Sequence, residues 1–331
     1  MMKAVFQTMH PLMRALMYFC MLTVCASIGL GIGIAISSSA TGIDLETLAD
    51  TSSLMTIDGG TAALKIMNSA NQLIGFLGSA LLFSLFFGKV SVDGFWTKKW
   101  SKMIGFLPLL IFFALPLLLV SFEFNSMLIP EGGYLEGLFK PSEELAGEMT
   151  ETMLTMNTPL DLVIMLIVVA VLPGICEEFA FRGVLQSQLA KGFKNVHLGI
   201  WVSAFIFSAI HFQFYGFIPR MLLGAFFGYL VIHTGSIWTA VVAHTLNNGY
   251  AVVSAYMAGQ MPDMSTDDLD NASLNPYFVL MSAVIFSLLF WVILQKSTWS
   301  NIKETYLRYL KLPVVLEELE NAGDQSVADK K

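Results

Sequence analysis

The hydrophobic and polar positions of this chain fall into long apolar runs separated by short polar breaks. The runs cover residues 12–37, 67–88, 103–123, 159–176 continuing to about 190, 197–214, 217–233, 236–257 and 276–296. A helix that crosses the hydrocarbon layer needs about 20 mainly apolar residues, so each run is read as one span. The expected fold is all-α, a polytopic transmembrane helical bundle of about eight spans. Four regions follow from this division. Residues 1–125 form a three-helix membrane region, 126–158 an acidic extracytoplasmic loop, 159–296 a core, and 297–331 a cytoplasmic interfacial helix and tail. The loop holds Pro130, Gly132, Gly133 and Pro141 and is read as a solvent-exposed excursion. In the last region Ile302, Tyr306, Tyr309 and Leu310 give 299–319 one apolar side suited to a membrane surface, and the final dozen residues look disordered. The first run is longer than the apolar region of a cleavable signal peptide and is read as an anchor.

Composition changes this picture only by exclusion. Of 331 residues, 55% are apolar and 13% charged, and the mean hydropathy is +0.67. A soluble globular protein carries about a quarter charged residues; a surface with half that would expose too much apolar area to stay dissolved. Disorder and coiled coil fail for the same reason. Charge placement then sets the orientation. Arg14 and Lys3, then Lys89, Lys98, Lys99 and Lys102, then Lys191 and Lys194, then six residues from Lys296 to Lys331 all fall on one side of an eight-span arrangement. Basic loops mark the cytoplasmic side. The opposite loops are acidic, with Asp44, Glu46, Asp50 and Asp58, then Glu131 to Glu151, then Asp263, Asp267, Asp268 and Asp270; the basic residues there are Lys140, and Arg220 near a span end. Both termini are therefore expected in the cytoplasm, with the bundle in a bacterial inner (cell) membrane. Cys20, Cys25 and Cys176 lie in or beside apolar runs and read as small hydrophobes.

The candidate chemistry is carried by polar residues inside the runs. An ionisable side chain in hydrocarbon costs about 2.5–3.5 kcal/mol on insertion scales, so each one is a functional hypothesis. Glu177 and Glu178 follow Pro173-Gly174 in the fourth run, with Arg182 one turn on. Glu178 and Arg182 can pair on one face, with the acid first. Glu177 points about 100° away and has no partner nearby in sequence; such a carboxylate suits a general acid or base. The plainer reading of the trio is a paired structural cluster. Pro173 is expected to disturb the backbone ladder just before it. Phe207 and His211 share a face of the fifth run, and His244 and Asn248 a face of the seventh. Taken singly, each histidine reads more readily as a hydrogen-bond partner between helices than as a catalyst. Two histidines, a carboxylate and an amide on three spans can meet only in the bundle core. His10, His197 and His233 lie near span ends and read as interfacial; Asp161 reads as a helix cap.

The order Glu-Glu-x-x-x-Arg, Phe-x-x-x-His, His-x-x-x-Asn, each in its own apolar helix, resembles the CAAX-protease and bacteriocin-processing (CPBP, or Abi) intramembrane peptidases. The match is unsubstituted at Glu177, Glu178, Arg182, Phe207, His211, His244 and Asn248, and it covers roughly 160–257. The resemblance implies a peptide-bond hydrolase with its site inside the membrane. It implies that Glu177 and His211 activate water and that His244 and Asn248 stabilise the oxyanion. Glu178, Arg182 and Phe207 would be supporting residues. It also implies a membrane-associated peptide or protein substrate and the lipid bilayer as partners, and no nucleic acid.

The family is commonly labelled metalloprotease, and Glu177, His211 and His244 could hold a zinc with an open fourth position. No His-Glu-x-x-His helix is present, and a metal-free glutamate-dependent site explains the same residues and is the reading preferred. Two other classes stay open: a proton-coupled transporter, since Glu and His also relay protons, and a non-catalytic immunity or scaffold protein. Against the transporter, the polar residues cluster in one half of the chain and no internal repeat is visible.

Overall fold

A computed structural model describes residues 9–87, 102–260 and 275–296. The loop lysines 89, 98 and 99, Lys3, the acidic residues 263–270, the interfacial helix over 299–319 and the tail lie outside the described residues. Nine helices matter here: α1 (Pro11–Thr41), α2 (Gly60–Phe87), α3 (Leu107–Met127), α4 (Tyr134–Leu154), α5 (Pro159–Phe193), α6 (Val196–Ala209), α7 (Phe217–Thr234), α8 (Ile237–Gln260) and α9 (Pro276–Lys296). The described residues contain no strand. The fold is an all-α membrane bundle, as the apolar runs predict.

Helices α1, α2, α3, α5, α7 and α9 are long and apolar enough to cross a membrane. α8 has the length, at 24 residues, and carries His244, Asn247 and Asn248 in its middle. α6 has only 14 residues, about 21 Å of rise. The fifth run, expected to be helical over 197–214, therefore stops early, and residues 210–216 form a turn. Local polar groups explain the stop. Ser208 Oγ donates to the carbonyl of Phe217 (2.7 Å). Asn125 at the end of α3 donates from Nδ2 to the carbonyl of Phe214 (2.7 Å) and accepts from the Ile218 N–H at Oδ1 (2.9 Å). Backbone that leaves a helix among apolar neighbours needs such partners.

The acidic stretch 126–158 differs from a plain loop: most of it is α4, none of whose residues is buried. Pro141 within α4 removes one backbone donor, and on so exposed a helix water can serve the orphaned carbonyl. α4 is tied to the 212–215 turn. Ser142 Oγ donates to the Phe212 carbonyl (2.9 Å), the Tyr215 N–H donates to Glu143 (3.2 Å), and the Phe139 and Phe214 rings stack at 4.0 Å.

α5 continues through Pro173 rather than breaking. The helix widens into a π-turn over Leu166–Val171, which shifts the hydrogen-bond register ahead of the residue that has no N–H. The Val169 carbonyl, four residues before the proline, is taken by Asn248 Nδ2 at 3.0 Å, and the Val168 carbonyl by Asn68 Nδ2 at 3.4 Å. Asp161 forms a reciprocal capping box with Thr158 at the start of α5.

Five apolar clusters form among the described residues, and two of them adjoin the site. Tyr18, Phe83, Phe87, Phe181 and Leu185 join α1, α2 and α5; Leu107, Leu110, Phe227, Leu230 and Ala243 join α3, α7 and α8. The site lies between them.

Candidate active site

Close approach of α5 to α8 sets the site. A Cβ at Gly174 would collide with Thr245 Oγ1 and lie 3.2 Å from the Thr245 backbone nitrogen, so only glycine lets these helices come this near. The approach puts Glu177 and Glu178, one turn further along α5, against His244 of α8.

Glu178 and Arg182 form the pair that their spacing predicts. Arg182 Nη1 donates to Glu178 Oε1 at 2.7 Å, with both side chains about fully buried (1% and 0% exposed). Two charges so far from water are costly unless their remaining groups are satisfied. Arg182 Nη2 donates to the Gly224 carbonyl (2.8 Å), and the guanidinium lies over the Phe207 and Phe227 rings at 4.9 and 5.5 Å. The same Glu178 Oε1 lies 2.9 Å from His244 Nδ1. A carboxylate only accepts, so Nδ1 carries the proton, and Nε2 is the nitrogen on the Glu177 side, 3.9 Å from Glu177 Oε2. Phe227 stacks on the His244 ring at 5.2 Å. Phe227 thus touches both the buried cation and the imidazole, which Glu178 Oε1 bridges.

His211 sits in the turn after α6, not within the helix. Its Nδ1 lies 2.7 Å from the Phe207 carbonyl, again an acceptor only, which leaves Nε2 for chemistry. Phe207 is the common neighbour: its ring meets His211 edge-on at 5.1 Å, His244 at 6.1 Å and Phe181 at 5.0 Å.

Glu177, His211, His244 and Asn248 line one cavity of about 560 Å³, together with Phe207 and the α4 residues Thr150, Met153 and Leu154. All four residues singled out as catalytic candidates therefore share one space, with Phe207 in its wall, while Glu178 and Arg182 stand behind it. Asn248 turns part of its amide away: Nδ2 serves the Val169 carbonyl and Oδ1 accepts from Asn247 Nδ2 (3.2 Å). Of the three histidines read as interfacial, His10 caps α1 by accepting from the Leu12 N–H, and His197 Nδ1 lies 2.9 Å from the Tyr229 hydroxyl.

Three cavity residues were not anticipated as parts of the site. Gln72 of α2, 5% exposed, donates from Nε2 to Glu177 Oε1 at 2.7 Å. It is the partner that Glu177 lacks in its own stretch of sequence. Asn68, one turn earlier in α2, lines the same cavity. Arg220, read as a basic residue near a span end, also lines it, in the first turn of α7. Amides inside apolar runs were the available signal for Gln72 and Asn68, and a search confined to ionisable groups passes over both.

As arranged, the described residues include no group of three or more His, Cys, Asp or Glu side chains placed to hold one metal ion.

The fold and this site define an integral membrane protein in which carboxylate, imidazole and amide side chains gather around one cavity. Residues 159–250 match the model of the Rce1-like family, described as type II CAAX prenyl endopeptidase Rce1-like. The matched segment opens at the first residue of α5, ends inside α8, and encloses all seven motif residues. Over this segment, and not over the rest of the 331 residues, the chain is similar to the CAAX-type endopeptidases. No curated protein and no solved structure matches the chain.

Proposed function

We propose that the protein is an intramembrane endopeptidase that hydrolyses a peptide bond near the end of a membrane-associated or lipidated substrate. The single observation that carries this reading is the shared cavity of Glu177, His211, His244 and Asn248. Glu177 and His211 activate the water. Gln72 occupies Glu177 Oε1, which leaves Oε2 to draw a proton, and His211 offers Nε2 for the same purpose. As the water loses its proton, its oxygen attacks the scissile carbonyl carbon and negative charge builds on the carbonyl oxygen. Asn248 supports that charge with the amide N–H not used by Val169, and His244 with Nε2–H when both ring nitrogens carry protons. A donor so placed in a dry site is worth about 3–4 kcal/mol. Collapse of the tetrahedral intermediate returns the proton to the leaving amine. Glu178 and Arg182 keep His244 and α5 in register.

Both termini lie in the cytoplasm in this proposal, supported by the basic residues Arg14, Lys102, Lys191 and Lys194 on one side and the acidic Asp44 to Asp58 and Glu131 to Glu151 on the other. The chemistry above is metal-free.

The test is cleavage of a lipid-anchored peptide by purified protein in liposomes. Glu177→Ala and His211→Ala should each lower turnover by about 10²–10⁴-fold, the range for loss of a general acid or base. Wild-type rates in both variants would exclude these residues as the machinery. Chelator treatment with metal analysis separates the two mechanisms: activity that persists without bound metal supports glutamate-dependent chemistry, and loss with restoration by zinc supports a metal centre.

A further inference from the structure

Arg220 differs from the other arginine of the core. Arg182 is enclosed, paired with a carboxylate and covered by two rings. Arg220 is half-buried on the wall of the cavity that holds Glu177 and His211, and among the described residues no carboxylate oxygen lies within 4.0 Å of its guanidinium. Its hydrogen bonds go to neutral acceptors on one residue, Nη1 to the Gln213 carbonyl (3.1 Å) and Nη2 to Gln213 Oε1 (2.9 Å). A guanidinium has five N–H donors in a planar fork, and these two bonds use two of them. A cation kept in an apolar bundle without a contact counter-ion is a functional hypothesis by default.

The surrounding charges say what it would take. Glu143 of α4 and Glu177 of α5 both face the same cavity. A ligand anion is repelled by these two and attracted by Arg220, the one arginine or lysine among the described lining residues, so it binds with its charge toward Arg220. A neutral stretch of peptide needs no such cation. The anion that every linear peptide carries at one end is its C-terminal carboxylate, and planar carboxylates match the guanidinium fork in bidentate fashion.

We infer that Arg220 binds the free C-terminal carboxylate of the substrate and so directs cleavage to a bond a few residues from that terminus. This rests on the peptidase reading and adds a specificity-determining residue to it. Arg220 anchors the chain end, and Glu177 with His211 acts on a bond further in.

Arg220 also holds Gln213, two residues from His211, so a merely positional role must be distinguished. The experiment uses one lipid-anchored peptide in two forms, with a C-terminal carboxylate and with a C-terminal amide. The wild type should favour the carboxylate form about tenfold or more, through KM, as befits a charge-assisted bond. Arg220→Gln should bring the ratio of the two forms close to one, and Arg220→Lys should restore part of it. Binding of both peptides to the Glu177→Ala variant should show the same preference without turnover. A wild type indifferent to the terminus overturns the inference. So does an Arg220→Gln variant that slows both forms equally and keeps their ratio, since that is the behaviour of a turn staple. If the wild type cleaves neither peptide, yet the Glu177→Ala variant binds the carboxylate form preferentially, the peptidase reading falls and the anion site stands.

Discussion

Helices α1 to α3 and the segment from α5 to α8 divide the labour of this site unequally. Every ionisable motif residue lies in the second region, and the family match begins and ends there. The first region contributes amides. Gln72 holds an oxygen of Glu177, Asn68 takes the Val168 carbonyl in the π-turn ahead of Pro173, and Asn125 secures the turn that carries His211. The difference is physical. A reacting group must be able to change its protonation state, whereas a group that only holds another in place does better without charge, because a neutral amide both donates and accepts and is cheaper to bury. The motif region thus supplies reactivity and the N-terminal helices supply posture.

Removing charge from the motif region should be the most damaging test of this contrast. Glu178→Leu leaves Arg182 buried without its carboxylate and should cost about 3–5 kcal/mol of stability, read by thermal unfolding in detergent. A stability change below 1 kcal/mol would show that water reaches Arg182 and that the pair is not the keystone claimed. Asn125→Leu comes next. It orphans the Phe214 carbonyl and the Ile218 N–H, at about 1–3 kcal/mol for such a buried group. It should also lower kcat by loosening the His211 turn, although residue 125 lies far outside the motif segment. Unchanged kcat would mean that the turn needs no help from α3. The smallest effect is expected at Gln72. Gln72→Leu should reduce kcat by about tenfold, equivalent to about 1.4 kcal/mol, with KM and unfolding temperature nearly unchanged, because the loss falls on the orientation of Glu177 alone. A variant that unfolds readily but cleaves normally would reverse the roles assigned to α2.

Much of the motif region was legible before folding, and particular residues show why. Glu178 and Arg182 sit four apart on one helix, so their meeting follows from the period of the α-helix. The amphipathic capping of α5 by Thr158 and Asp161 is equally local. The stop at Ala209 was not legible, since the apolar run continues past it and the polar groups that end α6 come partly from α3. The helix over Tyr134–Leu154 was hidden by Pro141 and three neighbouring turn-forming residues, which argued for a loop. Arg220 read as an interfacial charge because its position near a span end says nothing about which cavity that end borders.

Length and apolarity alone determined that this is a membrane bundle, since a span needs only enough consecutive hydrophobic residues. Helical spacing alone determined which side chains within one span could pair. Tertiary structure decided the rest: that Glu177 meets Gln72 across 105 residues of sequence, that Asn248 serves Val169, and that Arg220 turns toward the site. Contacts of that kind depend on how closely and at what angle the helices pack, as at Gly174 against Thr245, and no local spacing encodes that geometry.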